Sequence, residues 1–200
     1  MKTLLNGAAG DSIFLIVIRF VTLFFGILIT RMLSSHFSVY EYGTYSQIIL
    51  LSTTLTTLTT LGMMDGINFF FCREENENKR SAYVSSIFFL QLIIGLAVSL
   101  VVVFCAVPIS KYFDNEAIKK LIIFSAIIPV LNNSINLLQI MFIALGNSKK
   151  IAFRNLFVSI LKLISVLLAC YLFDSIALVL IFEVLSSVIQ VVYFGISLKK

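Results

Sequence analysis

Residues 12–33 read SIFLIVIRFVTLFFGILITRML, a run of 22 positions whose only charged side chains are Arg19 and Arg31. As a helix rising about 1.5 Å per residue, this run is about 33 Å long, enough to cross the ~30 Å hydrocarbon layer of a bilayer. The short, weakly apolar segment MKTLLNGAAGDS precedes it, and no small-residue cleavage site follows. The run therefore reads as a retained membrane span and not as a signal peptide.

The rest of the chain repeats this pattern. Of 200 residues, 60% are hydrophobic and 12% charged, and the mean hydropathy is +1.05. Soluble domains carry about 25% charged residues, so this composition excludes them. Apolar runs of membrane-crossing length place about six spans at 12–33, 44–71, 82–107, 121–145, 151–173 and 176–198. The runs are continuous and do not alternate polar with apolar residues, which excludes a β-barrel. The expected fold is an all-α membrane bundle.

The formal charge of +5 sits mostly between the spans, which is how membrane proteins use cations and unlike a nucleic-acid-binding face. Lys2, Arg73, Lys79, Arg80, Lys149, Lys150, Arg154, Lys199 and Lys200 fall on one side, and Arg31, Lys111, Lys119 and Lys120 on the other. Nine cations against four place both termini in the cytoplasm. Cys72, Cys105 and Cys170 are far apart, and His36 is the single histidine. No disulfide framework, metal site, cofactor site or His-dependent catalytic group follows, and the links are too short to hold an enzyme's surface site.

Ionisable residues inside the spans are the informative ones, because a charge in hydrocarbon costs a few kcal/mol. At 100° per residue Ser12, Arg19, Thr22, Gly26 and Thr30 share one face of the first helix. Arg19 lies well inside the span, where it either snorkels to the headgroups or lines a cavity. The second span carries Asp65 on a stripe with Thr54, Leu58, Leu61 and Asn68, beside threonines able to bond their own i−4 carbonyls. In the fourth, Pro129 interrupts the hydrogen-bond ladder ahead of Asn132, Asn133, Asn136 and Gln139. Three of these amides, Asn132, Asn136 and Gln139, share a face, which suits either a cavity wall or interhelical bonding. The fifth span aligns Asn155, Ser159, Lys162, Ser165 and Ala169, and the sixth aligns Glu183, Ser187, Gln190 and Ser197. A tight link at Asp174-Ser175 brings these two helices together. Lys162 and Glu183 then form an ion pair, or Lys162 serves a substrate.

Four local passages resemble the N-terminal half of Wzx-type polysaccharide flippases, within the multidrug/oligosaccharidyl-lipid/polysaccharide exporter superfamily. These are ITRML at Ile29 to Leu33, EYGTYSQ at Glu41 to Gln47, TLGMMDGINFFF at Thr60 to Phe71 and ALGNSKKIAFRN at Ala144 to Asn155. The resemblance implies one lobe of a two-lobed bundle, completed by a second lobe or another copy. It also implies export of a polyprenyl-diphosphate-linked oligosaccharide across the bacterial cytoplasmic membrane, with no cofactor. Arg19 and Lys162 would offset phosphate charge, and Asn132, Asn136 and Gln139 would bond sugar hydroxyls. Asp65 and Glu183 would pair charges or couple a cation. The competing functions are a cation-coupled drug exporter, an inactive fragment of a longer flippase, and an intramembrane polymerase or acyltransferase.

Overall fold

The computed structural model describes residues 2–198 apart from positions 61, 62, 64, 65, 67, 68, 71, 72 and 75, and side chains from Ile13 to Tyr193 other than Glu77. The described residues form helices and no strands. In chain order they are α1 (Lys2–His36), α2 (Val39–Thr60), α3 (Glu77–Phe104), α4 (Ala106–Tyr112), α5 (Glu116–Ser125), α6 (Ile128–Ala144), α7 (Ser148–Leu168) and α8 (Ile176–Leu198). A π-helical turn, Ala169–Phe173, carries α7 into the Asp174-Ser175 link.

Local chemistry sets where the helices begin. Ser38 and Glu41 form a capping box at α2. The Glu41 amide donates to Ser38 Oγ at 3.3 Å, and the Ser38 amide donates to Glu41 Oε2 at 3.0 Å. Asn76 caps α3 by accepting from the amides of Asn78 and Lys79, and Asn115 caps α5 by accepting from the Ala117 amide. Within α2 the threonine hydroxyls turn back on carbonyls of the preceding turn, as from Thr56 to Ser52 at 2.7 Å. Their polarity is thus satisfied inside the helix.

Five stretches among the described residues are long and apolar enough to cross a membrane: Ile13–His36, Asn78–Phe104, Glu116–Ala144, Ser148–Phe173 and Ile176–Tyr193. The expected second span, 44–71, runs beyond Thr60 through positions outside the described residues, and Asp65 is one of them. The fourth span is broken. Its helix stops at Ser125 and resumes at Ile128, with Pro129 in the first turn of the new helix. Proline supplies no amide hydrogen to the Ser125 carbonyl one turn back, and Ser99 of α3 donates its hydroxyl to the neighbouring, buried Ala126 carbonyl at 2.5 Å.

Polar and apolar residues are distributed inside out. Phe20, Phe24, Ile27, Phe89, Ile93, Leu100, Phe157 and Ile164 face outward, while Gln91, Ser99, Ser125, Asn133, Ser186, Ser187 and Gln190 are buried. Water would drive the opposite arrangement, and lipid permits this one. The chain is therefore an all-α, multi-pass membrane protein. Its helices approach through small residues, as membrane helices do. A Cβ added at Gly95 of α3 would stand 3.2 Å from Val130 Cγ2 and 3.4 Å from Val130 Cα of α6.

The bundle has two ends. At one end His36 pairs with Asp174, with Nε2 3.0 Å from Oδ1, and Tyr40 bonds Asn115. The start of α1, the end of α6 and the start of α7 lie at the other. Asn115 is 6% exposed and ties the α4–α5 link to α2, donating to Thr44 Oγ1 and Gln47 Oε1 and accepting from the Tyr40 hydroxyl. The link is therefore docked on α2.

Candidate functional site

Between α1, the end of α6 and the start of α7 lies a groove of about 510 Å³. Arg19 and Thr22 enter it from α1, Gln139 from α6, and Ser148 and Asn155 from the N-terminal half of α7. Leu15, Ile16, Ile18, Leu23, Ile143, Ile151 and Ala152 form the apolar walls, and no carboxylate lines it among the described residues. Packing of α1 against α7 builds this groove, and the rings of Phe14 and Phe153 meet at its edge with centroids 5.4 Å apart.

Arg19 is exposed on the surface of α1. The same helix continues a polar strip through Thr22, Gly26 and Thr30 toward Arg31 and Ser34, a shallow open face against which no other helix packs among the described residues. The Thr22 hydroxyl donates to the Arg19 carbonyl at 2.8 Å and that of Thr30 to the Gly26 carbonyl at 3.0 Å, so both present lone pairs outward.

Arg154 lies behind the groove. Its guanidinium donates from Nη2 to Gln139 Oε1 at 3.1 Å and from Nε to Asn155 Oδ1 at 3.1 Å, with a second donation from Nη2 to Asn155 Oδ1 at 2.5 Å. Only 8% of Arg154 is exposed, so it is a buried charge within α7 and not the link cation that its place near Lys149 and Lys150 implies. On its far side a second, strongly apolar cleft of about 530 Å³ separates α7 from α8.

Lys162 and Glu183 bond directly across α7 and α8, with Lys162 Nζ 2.5 Å from Glu183 Oε1. Their side chains keep 35% and 21% exposure. Lys162 does not line the Arg19 groove. It stands seven residues beyond Asn155, about 10 Å along the helix. The polar residues of α1 and α7 thus meet only in the N-terminal halves of those helices. The reason is the rise along α7, which carries Lys162 past the point where α6 ends the groove.

The α6 amides divide. Gln139 joins the groove, while Asn132 and Asn136 are half-buried and do not line it. Asn133, off the predicted face, is 1% exposed and donates to Thr59 Oγ1 of α2 at 2.7 Å. That contact is an interhelical bond holding α2 to α6. Asp65 lies outside the described residues, and no group of His, Cys, Asp and Glu able to hold a metal occurs among the described ones. Sequence reading counts Arg154 only among the cations of one side and not as a site residue. The available signal is its i+1 amide neighbour on a polar stripe, but its second partner comes from another helix.

The sequence profile of a family described as "Polysaccharide biosynthesis protein" matches residues 9–200. Comparisons with curated proteins and with solved structures give no match. With nearly the whole chain covered, and the motifs and bundle in agreement with it, the chain belongs to this polysaccharide biosynthesis family of Wzx-type flippases.

Proposed function

We propose that this chain moves a polyprenyl-diphosphate-linked oligosaccharide across the bacterial cytoplasmic membrane, with the anionic head held at the Arg19 groove and both termini in the cytoplasm. The observation that carries this reading is the groove itself: a guanidinium and two amides at membrane depth, with no carboxylate among the described lining residues. A drug exporter acting on cations would need carboxylates there. The polar strip of α1 supports the rest of the path, because Thr22, Gly26 and Thr30 offer sugar hydroxyls a hydrogen-bonding face bordered by apolar surface. A second lobe or another copy covers that strip, and rocking of the two lobes exposes the groove to each side in turn. In this reading the protein is a transporter and not an enzyme.

The test is surface polysaccharide in a flippase-deficient bacterial strain expressing the chain with its complementary lobe. Arg19→Met is expected to lower export about tenfold at matched membrane levels, equivalent to ~1.4 kcal/mol of lost head-group binding. Unchanged export would remove Arg19 from the path.

A further inference from the structure

Arg154 decides which atoms the groove offers a ligand. A guanidinium has donors only, so the atoms that face it on Gln139 and Asn155 must be the amide oxygens. With each oxygen turned inward, each NH₂ group is left as the amide's remaining polar end. Neither amide nitrogen has an acceptor among the described residues. Both residues line the groove together with Arg19, itself a donor-only group.

We infer that Arg154 is a positioning residue that locks Gln139 and Asn155 with their NH₂ groups toward the groove, making it a donor-rich site selective for a phosphate oxyanion carried on a lipid chain. This deepens the proposed function and rests on the groove being the head-group site. An amide free to rotate presents oxygen or nitrogen equally well and would accept an alcohol as readily as a phosphate. An amide whose oxygen is held by a buried guanidinium offers donors only, which favours an anionic oxygen over an alcohol. The lipid chain fits the apolar walls of Leu15, Leu23 and Ile143, which run beside the donors.

The experiment is equilibrium binding to the purified chain in phosphatidylcholine nanodiscs, with farnesyl diphosphate, farnesol and inorganic pyrophosphate as probes. Wild-type protein is expected to prefer farnesyl diphosphate to farnesol by about a hundredfold, the product of two charge-assisted bonds each contributing about tenfold. Pyrophosphate is expected to bind more weakly than the lipid diphosphate, and equal affinity for the two would overturn the lipid part of the inference. Gln139→Glu and Asn155→Asp keep shape and keep Arg154 bonded, so the chain should fold, yet each replaces an outward NH₂ with an acceptor. Each should lower farnesyl diphosphate affinity at least tenfold and leave farnesol unchanged.

Arg154→Lys separates positioning from charge, because a lysine retains the charge but cannot hold both oxygens in one plane. It should lose the preference for diphosphate over farnesol. Diphosphate affinity at the wild-type level in Arg154→Lys, or in both isosteric acid variants, would overturn the inference, as would an equal loss for both lipid probes. Unimpaired diphosphate selectivity with no polysaccharide export in the flippase-deficient strain would instead defeat the proposed transport and leave the site standing.

Discussion

Lys162 of α7 and Glu183 of α8 neutralise each other inside the bilayer, 2.5 Å apart and only partly exposed. The pair gives each residue a structural partner, and it separates the structural from the substrate role of Lys162. Lys162→Met leaves a carboxylate with no counter-charge. Breaking a buried pair costs about 3 to 5 kcal/mol, because the remaining charge is left uncompensated. The single variant is expected to lower the thermal midpoint in detergent and reduce export. Lys162→Met with Glu183→Gln should restore both. Loss of export in the double variant at wild-type stability would assign Lys162 to the substrate instead.

Gly95 sets how closely α3 approaches α6. An added methyl would meet Val130 Cγ2 at 3.2 Å and the less yielding Val130 Cα at 3.4 Å. Gly95→Ala is expected to cost about 1 kcal/mol by the overpacking rule, read as a lower thermal midpoint. Adding Val130→Ala removes the Cγ2 contact and should recover part of the loss, leaving the backbone contact. Full recovery would show that the backbone contact carries no strain.

Topology is tested by labelling single cysteines from outside on a background lacking the native ones. Asn115 is an unsuitable probe, being buried and bonded to Tyr40, Thr44 and Gln47. Tyr112, at the end of α4 beside the α4–α5 link, is 85% exposed and should be labelled from outside, whereas Asn78 should not. The reverse pattern would invert the bundle in the membrane.

The α2 cap supplies a pH dependence. The hydroxyl and amide of Ser38, with a smaller contribution from His36, hold the Glu41 carboxyl below the usual glutamate range. A depressed pKa means that the folded state binds fewer protons than the unfolded one. The stabilisation is therefore present above the ordinary glutamate pKa of about 4.3 and is lost as pH falls through the lower folded value. The thermal midpoint of Glu41→Gln should lie below wild type at pH 6 and converge with it under strong acid. A constant gap across that range would trace the effect to packing and not to titration.

Much of this bundle is legible in the chain because spans need long apolar runs, and the breaks carry their own marks. Pro129 announces the interruption, Asp174-Ser175 the tight return, and the Ser38-Glu41 spacing the start of α2. The α7 and α8 stripes bring Lys162 toward Glu183 through helical period alone. What period cannot show is which side chain crosses to another helix. Asn133 looks like the odd amide of its group, yet it binds Thr59. Arg154 follows Lys149 and Lys150 and resembles another link cation. Only the approach of α6 reveals it as a buried centre, because Gln139 lies 15 residues earlier in the chain.

The order in which charges and partners are synthesised follows from these separations. Gln139 is made before Arg154 and Asn155 adjoins it, so the amides that receive the guanidinium are at hand when α7 leaves the ribosome. Lys162 precedes Glu183 by 21 residues. A nascent chain ending at Phe173 would present an uncompensated ammonium near mid-bilayer, at an insertion cost of about 2.5 to 3.5 kcal/mol. The two-residue link allows α7 and α8 to enter together as a hairpin, with the ammonium already matched to its carboxylate. In such a hairpin α8 supplies the counter-charge that α7 needs to enter the bilayer.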